Sequence, residues 1–267
     1  MSYWSFYQIR TGRESPKVEP VFMSRFLSNL RDITLKYPTN KIAFCFDSRR
    51  NLRKKSLSEY KGGREKNEER ANLYKMINRL RKKWLPELGF NNVFIQKGYE
   101  ADDIIASLTE LVPGNTKGVI VSSDHDLYQL LRRNVVMYMP KDRKEYTVED
   151  FKEEWGVDPA MWSTVKSLAG CDSDNIPGID GVGEKTACDW VNNKIPKHHK
   201  NYQKILDNCG IVKKNMPLVN LPFEGTITPR LVRNKCTLRN WGKVCQELGL
   251  TEILSTPPTN FQKPRNK

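Results

Sequence analysis

Acidic residues fall just beyond three short apolar runs, a position from which carboxylates can do chemistry. Asp47 closes "KIAFCFD" (41 to 47). Glu100, Asp102 and Asp103 lie in "GYEADD", shortly after "NVFIQ" (92 to 96), and Asp124 and Asp126 stand in "SSDHD", at the end of "GVIVSS" (118 to 123). If those runs are parallel strands, their ends share one sheet edge, where open α/β folds place their sites. So many carboxylates repel one another without cations, and hard oxygen donors in this number suit Mg²⁺ or Mn²⁺. Two such ions, ~3.5 to 4 Å apart, can activate a water and stabilise the leaving oxygen of a phosphodiester. Each motif also has a structural reading. Acids at 100 to 103 favour a helix start, and Asp124 is a good N-cap. Recurrence at three successive strand ends favours the metal. His125 has no partner at ligand spacing and reads as a turn residue.

A second constellation is "GCDSDNIPGIDGVGEKTA" (170 to 187), in which Gly181 and Gly183 flank Val182 ahead of Lys185, Thr186 and a helical pattern. A tight turn there would expose backbone N–H groups at a helix N-terminus, a geometry that binds phosphate without reading bases. The most charged stretch, "RRNLRKKSLSEYKGGREKNEER" (49 to 70), lacks an apolar face and in most chains would be a solvated loop. Here it leaves directly from Asp47, so its cations, Arg49 and Arg53 among them, are expected to lean over the site and to hold a polyanion such as nucleic acid.

Positioning these groups requires a scaffold. Phe22, Phe26, Leu30 and Ile33 recur at helical spacing over 20 to 36, after a Pro that suits a helix start. Together with the three runs above, "NVVMYM" (134 to 139) reads as a strand, and helical patterns occupy about 66 to 85, 100 to 111 and 124 to 132. This alternation implies an α/β domain over 1 to 146, a mainly parallel central sheet with helices on both faces. From 147 the strand signals fade, and a helical region is expected to the C-terminus.

The 267 residues carry 45 Lys plus Arg against 31 Asp plus Glu, a formal charge of +14, which favours nucleic acid or an anionic membrane surface as partner. No apolar run approaches the ~18 residues of a spanning helix, and the first residues lack the apolar centre of a signal peptide, so a cytoplasmic protein is expected. The six cysteines form no CxxC pair, which argues against a zinc site or a disulfide framework. A basic ribosomal or RNA-chaperone module would have no need for clustered carboxylates.

In combination and order, "FDSRR", "SEYKGGR", "GYEADDIIASL", "SSDHDLYQLL" and "SDNIPGIDGVGEKTA" resemble the 5′-nuclease superfamily, the bacterial and phage 5′-to-3′ exonucleases and flap endonucleases, over residues 20 to 192. The resemblance implies a PIN-like fold and a basic arch at about 49 to 70. It also implies a helix-three-turn-helix element at about 165 to 192, often with bound K⁺. The implied activity is hydrolysis of DNA, often also RNA, near single-strand to duplex junctions, in replication or repair within a bacterium or a phage-infected host cell. A monomer acting on branched or 5′-ended DNA, RNA/DNA hybrids included, is expected. By position, the six acids named above match metal ligands for two ions, and Lys61 and Arg64 match the basic pair that contacts the scissile phosphate.

Two departures stand out. No strand ending in Asp-Gly precedes "MSYWSFYQIR", so either the reading frame starts late or a central strand and a ligand are missing. In "GCDSDN", Cys171 takes the place of the usual first acid and Asp172 comes one position late, leaving Asp172 and Asp174 as candidate ligands of the second ion. The alternative function that follows is a DNA-junction-binding protein with an impaired metal site.

Overall fold

The computed structural model describes residues 18–63, 68–258 and 261. The expectation about an N-terminal strand falls on residues outside this set. In chain order the elements are α1 (Val18–Lys36), β1 (Phe44–Phe46), α2 (Glu68–Arg79), α3 (Leu85–Leu88), β2 (Val93–Ile95), α4 (Ala101–Glu110) and β3 (Gly118–Val121). Then come β4 (Val135–Met139), β5 (Lys144–Tyr146), α5 (Val148–Trp155), α6 (Trp162–Ala169), α7 (Glu184–Val191) and α8 (Lys200–Asn208). Three helices complete the chain: α9 (Gly210–Val219), α10 (Leu238–Glu247) and α11 (Thr251–Leu254).

Two compact units result. One takes the chain up to Phe44, the stretch ending at Phe94 and everything from Arg230; the other begins at Cys45 and resumes over Ile95–Pro229. In the first, α1 buries Phe22, Phe26 and Leu30 of the expected stripe together with Met23 and Leu27, while Ile33 is half-buried. Phe26, Phe44, Phe90, Phe261 and Trp241 then form a chain of rings with centroids 4.9 to 6.0 Å apart. The C-terminal segment is stapled in by Asn234, buried, whose amide donates to the carbonyls of Asn40 and Ile42 and accepts from the amides of Asn91 and Asn92.

The second unit carries the carboxylates. Its larger core cluster runs from Ile120, Tyr128 and Met137 through Phe151, Trp162 and Leu168 to Ile205, across the boundary expected at 146/147, and a smaller one joins Tyr60, Ile176, Leu218 and Val219. The expectation of one mainly parallel central sheet requires correction. Among the described residues β1 pairs with β2, and a separate sheet has the order β3-β4-β5, with β3 and β4 parallel but β4 and β5 antiparallel. β5 left no sequence signal because "KEY" buries only Tyr146; a turn at 140 to 143, with Arg143 at φ 53°, returns the chain against β4.

The helix expected at 124 to 132 is a 3₁₀ helix, His125–Leu130. Asp124 accepts from the Asp126 amide at its start, and the His125 carbonyl, which an α-helix would direct to Gln129, takes the indole N–H of Trp162 at 2.9 Å. No described helix is long and apolar enough to cross a membrane.

Candidate metal and nucleic-acid site

Each acidic side chain is delivered by a local device within the second unit. Glu100 is the N-cap of α4 in a reciprocal capping box with Asp103, and Asp47 accepts the Ala101 amide of the same first turn at 2.8 Å. β3 ends at Val121, after which the Ser122 hydroxyl takes the Asp124 amide at 3.1 Å and turns the chain toward the 3₁₀ helix. Beyond α6, the paired backbone bonds between Cys171 and Ile176, 2.9 and 3.0 Å, close a hairpin whose tip is Asp172–Asp174. That hairpin is seated by close backbone approach. Gly170 has φ 76°, and a Cβ on Gly178 would come within 2.0 Å of the Ala169 carbonyl oxygen.

These pieces meet in a cavity of about 320 Å³ lined by Lys61, Glu100, Asp102, Asp124, Asp126, Lys166, Cys171 and Asp174. Its electrostatics are those of crowded acids. Burial, then the charges of Asp124, Asp47 and Glu100, hold the Asp102 carboxyl well above the usual range. Asp126 is raised too, by burial and by Asp124 and Asp174, with Lys166 working against the rise. Carboxylate oxygens crowded in this way are a donor set that fits hard divalent ions.

Basic groups offset part of the charge. Lys61, held at φ 53° with its amide on the Asp174 carbonyl, brings Nζ onto Glu100 and to 3.5 Å from Asp174. The Tyr60 hydroxyl, buried, is 2.9 Å from Glu100 and 3.2 Å from Asp174. Burial and those two carboxylates push it far above its ordinary range, so it donates as a neutral phenol. Lys166 lies 3.3 Å from Asp126 and 3.0 Å from Glu184; burial opposes its charge, but Asp126 and Glu184 raise it on balance.

The expected residues separate into groups. Glu100, Asp102, Asp124, Asp126, Asp174 and Lys61 line the cavity. Asp47 is exposed and lies beside it at the α4 start. Asp172 is exposed and does not line the cavity, whereas Cys171 does. Asp103 and Arg53, expected as metal ligand and DNA contact, are paired with each other, and Arg53 also borders the cavity. Asp103 is fully buried, its oxygens taken by Arg53 and by the amides of Glu100 and Phe223. Arg53, 1% exposed, also donates to the Leu218 carbonyl at 2.8 Å.

Arg49 is exposed, and Arg64 lies outside the described residues. At the amino end of α7, Gly181 at φ 73° and exposed Gly183 and Lys185 precede and enter the helix, with Thr186 half-buried and Val182 anchoring the turn in the core. Lys166, Tyr60 and Gln129 escaped sequence reading. A lysine in the middle of "WSTVKSLA" was the available signal for Lys166; nothing local marks Gln129, which bonds the Asp126 and Val219 carbonyls.

A family profile described as "5′-3′ exonuclease, N-terminal resolvase-like domain" matches residues 1–156. The chain is 33% identical over 196 residues to the 5′-3′ exonuclease of Bacillus subtilis, covering 71% of this chain and 62% of that one. It is 35% identical over 176 residues to DNA polymerase I of Mycobacterium leprae, covering 64% of this chain and 18% of that protein. The chain thus spans less than two thirds of these relatives. In fold it is similar to a bacteriophage T5 flap endonuclease crystallised with DNA and metal ions, with a TM-score of 0.67, 22% identity and coverage of 94% and 93%.

Proposed function

The chain belongs to the 5′-3′ exonuclease family, and from that premise we propose that it is a structure-specific 5′ nuclease, hydrolysing phosphodiester bonds near single-strand to duplex junctions in replication or repair. One observation carries the reading: Lys61 and five carboxylates, Glu100, Asp102, Asp124, Asp126 and Asp174, face a single cavity. Glu100, Asp102 and Asp124 would hold one Mg²⁺ or Mn²⁺, and Asp124, Asp126 and Asp174 would help hold a second divalent ion. When bound, such ions polarise the phosphoryl oxygens and lower the pKa of a coordinated water.

The protein's own side chains do the rest. The Lys61 ammonium presents fixed positive charge where a phosphate would enter, and its tie to Glu100 keeps the flexible stem from wandering. Tyr60 fixes the orientation of Glu100 and Asp174 through its hydroxyl. Arg64 would be the second cation of the basic pair that meets the scissile phosphate. Gly181, Gly183, Lys185 and Thr186 would bind the backbone of the duplex arm, with a K⁺ beside them, independent of base sequence. DNA with a 5′ branch or end is the proposed substrate, and an RNA strand in a hybrid is accepted by the same phosphate contacts.

The test is cleavage of a 5′-flap substrate with Mg²⁺ or Mn²⁺, with and without chelator. Asp124→Asn should lose cleavage by orders of magnitude and keep duplex binding. Junction binding without cleavage in either ion would leave a DNA-binding protein instead.

A further inference from the structure

The hairpin after α6 brings a thiol where an oxygen-only site would have a further acid. Cys171, Asp126 and Asp174 each offer a ligand atom, and these atoms all lie within 4.8 Å of one another. Tetrahedral donors bound to one ion at ~2.0 to 2.3 Å stand roughly 3.3 to 3.8 Å apart, so these three would share an ion by drawing together by about 1 Å. The thiol is held in place, since both backbone groups of Cys171 bond Ile176, and Sγ sits 3.2 Å from the Ser173 hydroxyl. Asp172, the nearest substitute acid in sequence, is exposed and outside the cavity.

We propose that the cation position bounded by Asp126, Cys171 and Asp174 is a mixed thiolate–carboxylate site that selects zinc-class ions over Mg²⁺. Mg²⁺ requires an oxygen octahedron and gains nothing from sulfur, whereas Zn²⁺ and Cd²⁺ accept thiolate and carboxylate together. Binding forms a metal–sulfur bond and breaks the S–H bond, the proton passing to the buffer. Mg²⁺ leaves the sulfur uncoordinated, so that position offers it one ligand fewer and fills poorly. The proposal rests on the two-cation reading of the cavity, but its test needs no DNA.

Cd²⁺ titrated into the metal-free protein should produce a sulfur-to-metal charge-transfer absorption that saturates at a single equivalent. The band should vanish in Cys171→Ser and Cys171→Asp, while Cys45, Cys188, Cys209, Cys236 and Cys245 remain as an internal control. Cys171→Asp should also bind Mg²⁺ about tenfold more tightly, the scale of one added charged ligand, read by competition against Mn²⁺ in electron paramagnetic resonance. Circular dichroism reports that each variant is folded. A band that persists in Cys171→Ser, its absence from the wild type, or unchanged Mg²⁺ affinity in Cys171→Asp overturns the proposal. Flap cleavage in Mn²⁺, scored separately, decides the nuclease reading.

Discussion

Both arms of the Arg53 guanidinium end on one carboxylate, Nη1 and Nη2 lying 2.8 and 2.7 Å from the two oxygens of Asp103. Burial works against the charge of Arg53, yet the Asp103 hydrogen bonds and charge, followed by Tyr60 and Glu100, hold it above its ordinary range. The pair is a structural strut. It fixes the start of α4, and with it Glu100 and Asp102, relative to the chain leaving β1.

Arg53→Ala should therefore destabilise the protein by about 3 to 5 kcal/mol in urea denaturation, because Asp103 is left buried and uncompensated. Arg53→Lys should recover only part, since an ammonium cannot serve two oxygens at once. Under conditions where Arg53→Lys remains folded, the salt slope of its DNA binding should match wild type. A reduced slope would return Arg53 to the DNA surface.

Lys61 and Lys185 should separate chemistry from binding. Lys185→Ala is expected to weaken binding to all duplex sequences alike and to lower the salt slope by about one phosphate contact. Lys61→Ala should chiefly lower the single-turnover rate. Equal effects of both variants on binding and on rate would show that the division is wrong.

The carboxylate cluster makes a pH prediction for the metal-free protein. Asp102 is raised by burial, then by Asp124, Asp47 and Glu100, so above its ordinary value of 3.8 the folded chain holds a proton that the unfolded chain has released. Stability then falls as pH rises from 3.8 through the folded pKa, and the full penalty is present above it. Asp126 adds to the same trend. Asp150, lowered by its Thr147 hydrogen bonds, acts oppositely and at more acid pH. Melting temperature without cations should decline with pH across the mildly acid range, less so in Asp102→Asn, and divalent ions should restore it. A slope unchanged by Asp102→Asn would count against the crowding.

Gly178→Ala should cost roughly 1 to 3 kcal/mol, because its Cβ has no room against the Ala169 backbone. The shift should also move the hairpin bearing Cys171 and Asp174. Cation affinity is then expected to fall further than in a surface variant of equal stability.

How much of this was legible in the sequence depends on how far each feature reaches along the chain. α1 was readable from Phe22, Phe26 and Leu30, and β3 and β4 from their apolar runs, because those signals are local. The carboxylates at the ends of β1 and β3 and at the start of α4 were legible for the same reason. Arg53 was not, since its partner stands 50 residues away and an arginine in a charged run looks solvated. Nor could spacing choose between Asp172 and Asp174; the hairpin closed by Cys171 and Ile176 buries the second and exposes the first. Asn234 was equally silent, because four distant backbone groups define its role.

Lys166 places one ammonium between two carboxylates that line the cavity, Asp126 and Glu184, the second also in the first turn of α7. An ion that draws Asp126 toward itself releases that ammonium to Glu184, and a ligand that alters the field at the α7 turn changes what Lys166 offers Asp126. Whatever the size of the effect, thermodynamic linkage requires it to be mutual. Occupancy of the cavity and occupancy of the helix end would then be coupled through the one ammonium that both carboxylates share.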